Sequence, residues 1–131
     1  MKANELRIGN WVKCNTGIGT VVSISETGFS VSRKGDSLVT DEDVFEPIPL
    51  TADIVLKSGF AKGVREDCFL DQHPNLMQLT ITGDEFAVQY KADEPMEGAI
   101  FNSDPIAYVK YVHHFQNLYF ALTGVELPVD L

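Results

Sequence analysis

"SDPIAYVKYVHHFQNLYFALTG", residues 103–124, carries both the start and the stop signals of a helix. Asp104 can cap the first turn through its side chain. Pro105 suits the first helical position, where no N–H is needed, and Gly124 suits the left-handed residue that ends a helix. Between them Tyr108, Tyr111, Val112, Phe115, Leu118, Tyr119 and Leu122 recur at steps of three and four and make one broad apolar stripe. Lys110, His113, His114 and Asn117 fall largely on the other side. The spacing predicts a helix over roughly residues 105–123 with its stripe against a sheet.

The sheet material lies upstream. "LMQLTIT" and "EFAVQYK" alternate and face each other across Gly83 and Asp84, with Leu76, Gln78, Thr80 and Thr82 on one side and Met77, Leu79 and Ile81 on the other. That is a hairpin, to which "CFL" at 68–70 can add a third strand and "GAIF" at 98–101 a fourth. Before it, "EPIPLT" ends strand pairing, because Pro47 and Pro49 cannot donate to a ladder. Thr51 then caps a short helix over residues 52–58, with Asp53 in the first turn and Gly59 as its stop.

Residues 8–49 read as five short strands, "NWVKC", "GTVVSIS", "GFSVS", "SLVT" and "VFEPI", rich in β-branched and aromatic residues and separated by turn residues. Five strands at this spacing predict a small barrel, whose closure removes exposed edges. The stretch "IGNWVKCNTGIGTVVSI" is similar to the opening of SH3-like and KOW-type barrels. The expected fold is α+β: an N-terminal SH3-like barrel over residues 1–50, then an α+β lobe over 51–131 in which the C-terminal helix covers a small antiparallel sheet. The two lobes can also share one core.

The chain of 131 residues has a net charge of −9, unevenly placed. Residues 1–34 hold five bases against two acids, and the rest holds seventeen acids against five bases. Such a chain repels nucleic acid, except through its N-terminal barrel. Six acids run from Asp36 to Asp53 and four from Asp93 to Asp104 with no base between. They serve either as solvated loops or as an acidic face, built on Asp41, Glu42, Asp43 and Glu46, that meets a basic partner or imitates DNA. Trp11, beside the loop "NTGIG", is either core or an exposed barrel platform.

Other chemistry is not signed. "NTGIG" lacks the lysine of a phosphate-binding loop, and neither acidic run has calcium-loop spacing. His113 and His114 are neighbours on a helix, about 100° apart, and read as surface or boundary residues rather than a metal pair. Asp67, Cys68, Asp71 and His73 lie close in sequence, but nothing marks Cys68 as an activated thiolate. Cys14 and Cys68 read as reduced thiols. No catalytic residue, cofactor or metal is expected. No apolar run reaches the roughly 20 residues of a membrane span, and the N-terminus has no signal-peptide core, so a cytoplasmic setting is expected.

Three blocks, "MKANELRIGNWV", "PIPLT" leading to "SGF", and "YVHHFQNLYFALTG", resemble a group of small proteins encoded by phages and integrated mobile elements of Bacteroides-type bacteria. The resemblance implies a mobile-element origin and a bacterial host cytoplasm, and it transfers no activity or site residue. The expected function is a non-catalytic protein-interaction module. The alternatives are an acidic DNA mimic that inhibits a host DNA-binding protein, nucleic-acid binding through the barrel, and an enzyme of unassigned type.

Overall fold

A computed structural model describes residues 5–14, 17–26, 28–33, 39–40, 45–63, 66–71, 77–90 and 105–131. The elements in chain order are β1 (Trp11–Cys14), β2 (Gly17–Ser25), β3 (Gly28–Arg33), β4 (Val39–Thr40), β5 (Phe45–Glu46), α1 (Ala52–Lys57), β6 (Phe60–Lys62), β7 (Cys68–Asp71), β8 (Met77–Thr82), β9 (Glu85–Tyr90), β10 (Ala107–Val109) and α2 (Val112–Thr123). The chain divides into two compact units. The first comprises Met1–Pro49, Tyr111–Leu127 and Leu131; the second comprises Leu50–Lys110 and Pro128–Asp130. The mixed α+β class matches the sequence reading. No helix among the described residues is long and apolar enough to cross a membrane.

In the first unit the five expected strands form one antiparallel sheet of order β4-β3-β2-β1-β5. Alternation sorts its faces, since successive side chains point to opposite sides. Val12, Val21 and Val31 turn inward and pack with Leu6, and Phe29 and Phe45 lie against them. The Phe29 and Phe45 rings stand 4.6 Å apart. Their strands are three ladder steps apart, which in a flat sheet means about 14 Å. The sheet therefore curls around its core, helped by a register shift between Val21 and Ser23 that bends β2. Among the described residues no ladder joins β4 to β5.

The C-terminal helix belongs to this first unit, whereas the sequence reading put it in the second lobe. It also starts later than expected, at Val112 instead of residue 105, with Tyr111 in the cap position and no side-chain cap bond. Its end is as read: Gly124 has φ 73 and donates its N–H to the Phe120 carbonyl at 2.8 Å. Val112, Phe115 and Tyr119 of the expected stripe are buried, but His113 and Gln116 are buried with them, while Leu122 is exposed.

The second unit explains the late start. Its sheet has the order β10-β9-β8-β7-β6, and residues 107–109 pair antiparallel with β9 through Ala107↔Val88, Tyr108↔Ala87 and Val109↔Phe86. "AYV" suits a strand as well as a helix, and the open edge of β9 supplies backbone partners that a first helical turn lacks. Tyr108, expected in the helical stripe, is 56% exposed on this edge strand. Lys110 follows β10 and pairs with Asp84 at 2.9 Å, which holds that carboxyl below its ordinary range. The predicted strand at 98–101 and the cap residue Asp104 lie outside the described residues.

The β8–β9 hairpin forms in the register read from the sequence, turning at Gly83 with φ 63. "CFL" supplies β7, the third strand. Phe60, Phe69, Leu79, Phe86, Val88 and Val109 share the buried face of this sheet. Helix α1 ends one residue earlier than expected; Thr51 Oγ1 accepts from the Ile54 N–H at 3.3 Å, and Val55 is buried.

Candidate functional site

The polar residues of the first unit gather where α2 meets the segment 5–11. Asn10 is buried because its neighbours belong to the sheet: Asn10 accepts from the Val21 N–H at 2.9 Å, and Gly9 donates to the Val21 carbonyl at 2.8 Å. The buried amide needs partners, and α2 provides them. Asn10 Nδ2 donates to Asn117 Oδ1 at 2.8 Å and to Gln116 Oε1 at 3.4 Å. Gln116 Oε1 also accepts from the Trp11 N–H at 2.8 Å, and its Nε2 donates to the Gly9 carbonyl at 3.1 Å. Asn117 Nδ2 donates to the Glu5 carbonyl at 2.9 Å.

Arg7 closes this network from the solvent side. Its guanidinium donates to Asn117 Oδ1 at 3.0 Å, pairs with Glu126, and lies over the Phe120 ring at 4.3 Å from the centroid. These groups satisfy one another, so the network is a clasp between helix and sheet. Nothing in the sequence reading singled out Asn10, Gln116 or Asn117 for this role. The visible trace was two amides interrupting an apolar stripe, which gives no hint of a partner some hundred residues away.

Beside the clasp, at the first turn of α2, His113 and His114 converge on Glu5. Nε2 of each histidine stands 3.7 Å from Glu5 Oε2, and the two imidazole rings are 4.2 Å apart. Tyr111 stacks on His113 and meets His114 edge-on. The sequence reading of both histidines as surface or boundary residues fails for His113, which is 1% exposed. Neither of its ring nitrogens has a hydrogen-bond partner among the described residues. Burial pushes the His113 imidazole down to about 4, and the neighbouring His114 acts the same way against the partial opposition of Glu5. His113 is therefore neutral at pH 7.

The residues expected to meet a partner lie elsewhere on the same unit. Val12 and Cys14 face the core, so Trp11 and Lys13 alternate to the outer face of the curled sheet. Lys13 pairs with Glu46 of β5 and Trp11 with Thr20 of β2, which brings Trp11, Lys13, Thr20 and Glu46 to one outer surface. Trp11 is half-buried there and Glu46 is exposed. Asp41, Glu42 and Asp43 lie outside the described residues.

Cys14 and Cys68 are buried and neither is in a disulfide. Three positions apart on β7, Cys68 and Asp71 point to opposite faces and cannot converge on one reacting atom. His73, the remaining member of that sequence cluster, lies outside the described residues. Comparison with protein-family models, with curated proteins and with solved structures returns no match.

Proposed function

We propose that the chain is a non-catalytic protein-interaction module, an accessory protein of a phage or mobile element that works in the cytoplasm of its bacterial host. The observation that carries this reading is the outer face of the first sheet, where Trp11 stands half-buried among Lys13, Thr20 and Glu46. A partly exposed tryptophan on a rigid strand is a ready anchor, because it offers a large contact area at little conformational cost. The curl of the sheet and the Phe29–Phe45 contact favour an SH3-like barrel as its scaffold. The net charge of −9 and the run Asp41–Asp43 leading into β5 favour a partner with a basic surface.

The test is capture from host lysate with the wild-type chain and with Trp11→Ala and Glu46→Gln, each first shown by circular dichroism to be folded. Loss of an anchor of this kind costs about 2 kcal/mol or more, so Trp11→Ala should weaken a specific partner roughly thirtyfold. Glu46→Gln should weaken it less, with a difference that fades as salt is raised. A partner released by competing DNA would identify the DNA-mimic alternative. Capture indifferent to both substitutions would overturn the assignment of this face.

A further inference from the structure

We infer that Glu5, His113 and His114 form a binding site for a divalent transition-metal ion of the zinc class. One donor atom from each residue lies within 4.8 Å of the others, and each histidine nitrogen is 3.7 Å from the same Glu5 oxygen. A tetrahedral ion with bonds of about 2.0–2.1 Å separates its ligand atoms by about 3.4 Å, so a small closure of these side chains completes three corners. Two imidazoles and a carboxylate suit zinc and its neighbours in the first transition row better than calcium or magnesium, which prefer oxygen alone.

The independent observation is His113 itself. It is 1% exposed, its nitrogens have no hydrogen-bond partner among the described residues, and Nε2 is the atom nearest Glu5. A buried imidazole whose nitrogens come no closer than 3.7 Å to the nearest carboxylate is poorly satisfied, and a bound ion is one of the few groups that satisfies it without needing a donor or acceptor from the protein. Contact with Tyr111 holds the rings of both histidines. The positive end of the α2 dipole opposes a cation here, and the Glu5 carboxylate offsets it.

Glu5 and His114 are each about two-fifths exposed, so the fourth corner of the site faces solvent. An ion held there ties the segment before β1 to the first turn of α2, beside the clasp made by Asn10, Gln116 and Asn117. Metal binding of this kind stabilises the folded chain by linkage, because Glu5 meets the two histidines only when it is folded.

The experiment is equilibrium dialysis of the tag-free full chain against Zn²⁺, with metal content measured per chain, and Co²⁺ as a spectroscopic substitute. Wild type should bind one ion and show the visible absorption of tetrahedral cobalt. His114→Ala and Glu5→Gln, which alter exposed side chains, should each weaken binding by at least about tenfold, since even supporting groups around a metal carry that much. A chelator should lower the melting temperature of the metal-loaded wild type by clearly more than that of Glu5→Gln at the same metal concentration. Absence of saturable binding of either ion, or binding that both substitutions leave intact, would overturn the site.

Discussion

The Trp11 backbone N–H donates to Gln116 Oε1 at 2.8 Å, joining the first residue of β1 to the middle of α2 across 105 positions of sequence. The same side chain donates to the Gly9 carbonyl, so one amide satisfies the backbone on both sides of Asn10.

Replacing Gln116 with Met keeps the volume and removes these two bonds together with the longer one from Asn10 Nδ2 at 3.4 Å. It leaves the Trp11 N–H and the Gly9 carbonyl without these partners at a part-buried seam, and the expected loss is about 1–2 kcal/mol in urea denaturation. A change under about 0.5 kcal/mol, the range of ordinary surface substitutions, would show that water replaces the amide without cost.

The helix stripe separates into residues that pack and residues that do not. Phe115 is fully buried and meets Tyr119 edge-on at 6.2 Å between centroids. Phe115→Ala should cost about 3–5 kcal/mol, as truncation of core aromatics does. Leu122→Ala, at an exposed position of the same helix, should cost less than about 1 kcal/mol. Equal costs for the two would contradict the observed face of α2.

His113 makes the chelator-treated protein sensitive to acid. Its folded value of about 4 lies below the ordinary 6.5, so between these limits the unfolded chain binds the proton first. Stability is complete above pH 6.5 and declines as the pH falls toward 4, by up to about 3 kcal/mol from this group. Carboxylates titrate toward the lower end of the same window. The measurement is therefore the difference between wild type and His113→Gln in denaturation from pH 7 to pH 4.5. Parallel curves would mean that His113 is protonated normally in the folded chain.

Much of the local structure was legible in the residues alone. Alternation marked the strands around Val12, Val21 and Val31, and the side chain of Thr51 marked the start of α1. Gly83 marked the hairpin turn and Gly124 the end of α2. Each of these signals is complete within a few residues, because turn conformations, cap bonds and side-chain alternation are local properties of the backbone. The side taken by Trp11 does not belong with them: the residues leave it open between core and outer face, and only the burial of Val12 and Cys14 inside the curled sheet turns Trp11 outward.

What the sequence could not decide was settled by partners distant along the chain. Residues 107–109 satisfy a helix or a strand equally well on their own, and the free edge of β9 selected the strand. His113 and Gln116 sit among polar residues in the helical pattern, yet both are buried. Asn10, Gly9 and Trp11 hold Gln116, while Glu5 faces His113. Burial of a polar group depends on who receives its hydrogen bonds, and that information lies in the tertiary contact rather than in the spacing of any one segment. So periodicity and caps determined the elements of this protein, whereas edge pairing and polar partners a hundred residues apart determined where α2 begins and which of its side chains form a site.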